Sequence, residues 1–91
     1  MNDAPKPAAA ALQGRLLGLI RQILDKGLDY EVPPDARLSE LGMSSIKMVN
    51  LMLALEGEFD LSIPQTDITP ENFRSLHSIE QLLGKLLLLK P

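Results

Sequence analysis

Apolar residues recur at helical spacing in three stretches of the chain. In the first, Leu12, Leu16, Leu19, Ile20 and Ile23 fall at i, i+4, i+7, i+8 and i+11, one face of a helix. Leu17 and Leu24 widen that face, while Arg15, Arg21, Gln22 and Asp25 lie off it. The pattern predicts a helix over 8–26 that stops at Gly27, where a C-cap glycine is expected. Gly14 and Gly18 form a G-x-x-x-G pair within it. With Arg15 and Arg21 beside them they read as close-packing or tolerated glycines, not as a membrane dimerisation motif.

A long connection follows, Leu28–Gly42, in which Pro33-Pro34 forbids helix and holds the chain extended. Leu28, Tyr30, Val32, Leu38 and Leu41 recur in it, so it is expected to pack back on the helices. The second helix is predicted from Ser44 or Ser45, either of which can cap it, to Asp60. Ile46, Val49, Met52, Leu53 and Phe59 suit its core stripe, and Met48, Leu51, Ala54 and Leu55 carry apolar character well around the cylinder. That is more apolar surface than one core face needs. Either Met48 and Leu51 merely touch the long connection, or part of this surface is buried by a partner or ligand.

Leu61–Ile63 is short and ends at Pro64, and Thr69-Pro70 reads as an N-cap with proline at the first helical position. That predicts about one turn of helix near Phe73. The last helix is predicted over 78–88, with Ser78 and Gln81 as a capping box and Ile79, Leu82, Leu83, Leu86 and Leu87 as its buried stripe. The fold class expected is all-α: a small bundle of three main helices plus one short helix, with a long loop between the first and second. Its core should include Leu16, Ile20, Ile23, Val49, Leu53, Phe59, Ile63, Ile79 and Leu82.

Length sets the organisation. At 91 residues there is room for one domain. Residues 1–7, with two prolines, read as a flexible leader, and residues 8–91 as a single helical domain. The chain has no cysteine, so it has no disulfide, no thiolate nucleophile and no Cys-based zinc site. His77 is its only histidine, which excludes a His-rich metal cluster and leaves a Ser-His-Asp triad nothing but an arbitrary choice of serines. Glu56 and Glu58, two apart on a helix, point in different directions. No paired acid and base are present, so the chain is expected not to be an enzyme. Twelve acidic against nine basic residues give a net charge of −3, against the basic excess of a nucleic-acid binder. No apolar run approaches the 18 residues of a membrane span. A cytoplasmic monomer without membrane insertion is the expectation.

The chemically informative segment is Leu38-Ser39-Glu40-Leu41-Gly42-Met43-Ser44-Ser45-Ile46. It leads two small hydroxyl residues into an apolar helix. A serine there faces the positive end of the helix dipole and its unpaired N–H groups, a favourable place for a phosphate. Taken alone, an ordinary N-cap explains one of the two serines.

The surrounding run, Leu38, Leu41-Gly42, Met43, Ser44-Ser45-Ile46, Leu55-Glu56, Phe59 and Ile63-Pro64, resembles the acyl carrier protein family. Helix order and the long first loop agree, over roughly Ile20 to Leu83. The resemblance implies that a phosphopantetheinyl transferase attaches 4′-phosphopantetheine, drawn from coenzyme A, to the hydroxyl of Ser45, with Ser44 the lesser candidate. It implies a carrier that tethers acyl or aminoacyl groups as thioesters and presents them to partner enzymes: a loading enzyme, then transferases or synthases. Docking would involve Met43, Ser44, Ile46, Lys47, Met48 and Met52.

Ser44 stands where the family usually has aspartate, and Lys47, Asn50 and Gly57 stand at positions commonly acidic in fatty acid carriers. A specialised stand-alone carrier is therefore expected, not the housekeeping one. Ile68–Ser75 is also similar to stand-alone carriers that receive amino acids from adenylating enzymes. The competing reading is a small helical adaptor without a prosthetic group that docks through the apolar second helix.

Overall fold

The computed structural model describes residues 7–89. Three α-helices run in order: α1 over Pro7–Ile23, α2 over Ser45–Phe59 and α3 over Leu76–Leu88, with 3₁₀ turns at Leu38–Leu41 and Gln65–Asp67 and no strand among the described residues. Helix α1 packs against both α2 and α3. The expected leader lies outside the described residues except for Pro7, which opens α1. Proline suits that position because its missing N–H would have no intrahelical partner there.

Helix α1 ends before Gly27. Asp25 takes the left-handed conformation at φ 65. The Lys26 amide donates to the Arg21 carbonyl (2.8 Å) and the Asp25 amide to that of Gln22 (3.1 Å). This pair of bonds closes a Schellman motif, and aspartate supplies the turn that the sequence pattern assigns to glycine. A Cβ added at Gly14 or Gly18 would meet nothing within 4 Å, so the two glycines are tolerated and do not serve close packing. Helix α2 also ends on a left-handed aspartate: Asp60 lies at φ 52, and its amide and that of Leu61 (3.1 Å) both donate to Glu56 O. The Glu56 carboxylate then accepts from Ile63 N (2.8 Å), which fixes the chain as it leaves the helix.

Helix α3 starts two residues earlier than the capping-box pattern suggests. Its N-cap is Ser75, a buried serine whose hydroxyl accepts from Ser78 N at 3.1 Å. Ser78 thus sits in the first turn, with its Oγ 3.0 Å from that of Ser75. The expected short helix at Phe73 is a single hydrogen-bonded turn. Thr69 Oγ1 accepts from Asn72 N (3.1 Å), and Phe73 N donates to Thr69 O (3.3 Å), but the pattern does not propagate. One such turn fixes several dihedrals for little return, so it persists through packing of its buried Phe73.

The core is built from Leu16, Ile20 and Leu24 of α1 and its exit, Leu51, Leu55 and Phe59 of α2, and Leu76, Ile79, Leu82, Leu83 and Leu86 of α3. Val32, Leu38, Met43, Ile63 and Phe73 close it from the connections. Of the residues expected inside, Ile23 is only half-buried, while Val49 is 53% exposed and Leu53 62% exposed. The buried stripe of α2 is Met48, Leu51, Met52, Leu55 and Phe59, a phase rotated from the one the sequence pattern suggests.

The connection between α1 and α2 is pinned at several points. Arg21 Nε donates to the Tyr30 carbonyl (2.7 Å), Lys26 Nζ lies 5.2 Å from the Tyr30 ring centroid, and His77 N donates to Pro34 O (2.9 Å). Leu38 N donates to Arg74 O at 2.9 Å. These contacts set the start of α2 against the body.

Candidate functional site

The geometry of the Ser44–Ser45 pair begins six residues upstream of Ser44. Leu38 is fully buried and anchors the short 3₁₀ turn. Gly42 then reverses the chain at φ 106, a left-handed conformation in which a Cβ is strained. Gly42 N donates to Ser39 O (3.3 Å) and Met43 N to Leu38 O (3.0 Å). Met43 dives back into the core at 4% exposure. With Leu38 and Met43 both held inside, the next two residues are thrown to the surface at the head of α2.

The two serines do different work there. Ser44 is the N-cap, extended at φ −71 and ψ 171, and its hydroxyl accepts from Lys47 N at 3.2 Å. Its carbonyl accepts from Met48 N (2.8 Å), which closes the first turn. Ser45 is the first helical residue, exposed, and its hydroxyl makes no hydrogen bond within the described residues. The amides of Ser45 and Ile46 belong to the first turn and have no intrahelical acceptor. A phosphodiester on the Ser45 oxygen would sit against those N–H groups and the positive helix end, so the residues present fit that group.

Two surfaces flank Ser45. At about 100° per residue, Met48 lies about 60° to one side of it on the helix cylinder and Leu53 about 80° to the other. On Leu53's side Ile46 (76% exposed), Val49 and Leu53 make an apolar stripe open to solvent. On Met48's side is a cavity of about 570 Å3 lined by Met48, Met52, Ile68, Pro70 and Phe73, with Arg37, Ser39, Thr69, Glu71 and Arg74 around them.

The expected docking set is therefore divided. Ser44, Ile46 and Lys47 stand near Ser45 at or towards the surface, Met48 and Met52 are half-buried in the cavity wall, and Met43 is inside the core and unavailable to a partner. Val49 and Leu53, assigned to the core by their spacing, complete the exposed stripe. Their signal was the i, i+3, i+7 relation to Ile46 on a helix that is apolar nearly all round. Arg37 and Arg74, which reach the site from distant parts of the chain, left no signal in sequence. His77 is exposed and contributes only its backbone amide, and no group of three metal-ligating side chains occurs among the described residues.

Comparison with known proteins converges on one family. Residues 14–84 match the family described as the phosphopantetheine attachment site. Aminoacyl carrier protein 2 of Bradyrhizobium diazoefficiens is 45% identical over 76 residues, covering 82% of this chain and 85% of that protein. Among solved structures, the complex of Bradyrhizobium japonicum glycine:[carrier protein] ligase with its cognate carrier protein and an analogue of glycyl adenylate contains a similar chain. The TM-score is 0.68 at 43% identity, over 81% of this chain and 97% of that one. The complex of the same ligase with glycylated carrier protein gives 0.65 at 44% identity, over 78% and 97%. The adaptor reading without a prosthetic group gives way to these matches. The chain belongs to the phosphopantetheine-attachment family: it is a carrier protein whose cofactor is 4′-phosphopantetheine, the arm on which its cargo is tethered as a thioester.

Proposed function

We propose that Ser45 is the attachment residue and that the cargo is an aminoacyl group delivered by an adenylating ligase. The observation that carries the assignment is the division of labour between the two serines: Ser44 Oγ is engaged as the helix cap, while Ser45 Oγ is exposed and unbonded within the described residues. When bound, the group supplies a terminal thiol that holds the cargo as a thioester. The chain's own residues do the rest. Ser44 fixes the first turn, Gly42 and Met43 hold that turn at the surface, and the unpaired amides of the turn favour the anionic linkage.

The aminoacyl cargo is supported by the aminoacyl carrier relative and by the glycine ligase complexes of the similar structures. Partners would be a phosphopantetheinyl transferase, the loading ligase and downstream transferases. We place their shared docking surface on Ser44, Ile46 and Lys47 together with Val49 and Leu53, with Met48 and Met52 contributing from the cavity edge. Catalysis resides in those partners. A monomeric carrier unit over residues 8–91, working in the cytoplasm, belongs to the same reading.

Intact mass spectrometry after incubation with coenzyme A and a broad-specificity transferase tests the assignment. The parent and Ser44→Ala gain one phosphopantetheine mass, and Ser45→Ala gains none. Loss of modification in Ser44→Ala with retention in Ser45→Ala overturns it. Incubation of the modified protein with the ligase, ATP and single amino acids then tests the cargo. Charging by fatty acyl donors alone would refute the aminoacyl assignment.

A further inference from the structure

The described residues contain seven basic side chains, and four are occupied within the fold. Arg15 pairs with Glu58, Arg21 holds the Tyr30 carbonyl, Lys26 lies over the Tyr30 ring and Lys85 pairs with Asp67 (2.9 Å). The side chains of Arg37, Lys47 and Arg74 make no ion pair or hydrogen bond with any described residue. Lys47 projects from the first turn of α2, away from the cavity. Arg37 and Arg74 are both exposed and both border the cavity beside Ser45, brought together where Leu38 N bonds to Arg74 O. Glu71 is the single carboxylate in the cavity lining. A protein of net charge −3 thus keeps two unpartnered guanidinium groups at the mouth of an apolar cavity, next to its attachment site.

The charge decides what the cavity suits. An aminoacyl cargo carries an α-ammonium, which two guanidinium groups against one carboxylate repel. That charge balance disfavours the cargo as the occupant of the cavity. A guanidinium has the fork geometry that engages a carboxylate through two parallel hydrogen bonds. The apolar wall formed by Met48, Met52 and Phe73 offers a flexible, sulfur-rich surface that adapts to an inserted side chain. A volume of about 570 Å3 falls within the range of natural binding pockets.

We propose that this cavity, with Arg37 and Arg74 at its rim, docks an acidic–apolar segment of a partner protein. The segment inserts an apolar side chain between Met48 and Met52 and sets its flanking carboxylates on the two arginines. This surface shares Met48 and Met52 with the docking surface proposed above but lies on the other side of Ser45 from the Ile46–Val49–Leu53 stripe, so one attachment serine is flanked by two contact regions of different chemistry. The proposal goes beyond the assignment of Ser45 and does not require Ser45 to be modified.

The test titrates the 91-residue protein, unmodified and phosphopantetheinylated, with a synthetic helical peptide of alternating leucine and glutamate turns. Its counterpart with lysine for every glutamate is the control. The acidic peptide shifts the amides of 37–39 and 68–74 and the methyl signals of Met48 and Met52, and the lysine peptide does not. Affinity falls about tenfold in the double variant R37E/R74E, by an intermediate factor in R37Q/R74Q, and rises in Glu71→Gln. It also falls as salt is raised, as expected for exposed charges. Because both arginines are exposed, circular dichroism of the variants matches the parent.

Equal binding of the two peptides, no binding of either, or shifts confined to Ile46, Val49 and Leu53 overturns the proposal. So does a shift of the Met48 and Met52 methyls on aminoacylation alone, which would make the cargo the occupant. Failure of Ser45 modification leaves the titration of the unmodified protein intact, so the two readings fail separately.

Discussion

Leu51 and Leu53 sit two residues apart on α2, yet they face opposite environments: Leu51 is fully buried and Leu53 is 62% exposed. Replacing each by alanine removes the same atoms and changes helix propensity by the same small amount, so the difference in cost isolates packing. For Leu51 the loss combines transfer of the side chain with an unfilled cavity beneath α1 and α3. A fully buried leucine truncated in this way costs about 3–5 kcal/mol. At about 0.05–0.15 kcal/mol per residue, a chain of this length holds about 5–14 kcal/mol in total. The variant therefore loses a large share of its stability, and at about 4–8 °C per kcal/mol its melting temperature falls by about 12–40 °C.

Leu53 buries only about a third of its surface. With about 1.5–3 kcal/mol for full burial of such a side chain, its truncation costs about 0.5–1 kcal/mol and opens no cavity. Urea denaturation followed by circular dichroism at 222 nm measures both values. The second readout is charging by the loading ligase, where Leu53→Ala lowers kcat/KM although the protein remains folded. Equal losses of stability, or a larger loss for Leu53, would refute the assigned phase of α2 and with it the exposed stripe.

Glycine substitutions should separate by backbone conformation: Gly14→Ala and Gly18→Ala each raise stability by about 0.5–1 kcal/mol, because both are helical with open space at the Cβ position, whereas Gly42→Ala at φ 106 costs about 1–2 kcal/mol. Thermal melts of the three variants check the signs. Arg15→Ala should cost about 1 kcal/mol, since it removes the Nε bond to Glu58 (2.8 Å), the bond from its terminal nitrogen to the Glu58 carbonyl, and a guanidinium 4.4 Å from the Phe59 ring centroid. Arg15→Lys should restore only part of this, read as urea midpoints at low and high salt. Ser44→Ala should lose about 1 kcal/mol with the N-cap while Ser44→Asp keeps it, as measured by equilibrium unfolding.

Much of the fold was legible because its signals are local. The α1 face of Leu16 and Ile20 and the α3 face of Ile79 and Leu82 have polar residues on their opposite sides, and each pattern admits one phase. The two serines ahead of an apolar run marked a helix start, because an N-cap acts over a few residues; the attachment role came only from the resemblance of Leu41-Gly42, the serines and the downstream residues to a carrier family. Caps were less legible. Aspartate at 25 and Ser75 took roles that Gly27 and Ser78 also suited.

Helix α2 defines the boundary most clearly. Its sequence specified a helix, its start to within one residue and its apolar content, all of which follow from local propensity and capping. It did not specify which apolar side chains go inside. Ile46, Val49 and Leu53 compete with Met48, Leu51 and Leu55, and a helix apolar around most of its circumference has no preferred face of its own. That choice belongs to the tertiary structure. Leu38 and Met43 anchor the entry, Phe59 and the Arg15–Glu58 contact hold the exit, and together they set the rotation of the helix. The same rotation leaves Ser45 between an open stripe and a cavity. Arg37 and Arg74, 37 positions apart in sequence, meet at the cavity only because the Leu38 amide bonds to the Arg74 carbonyl.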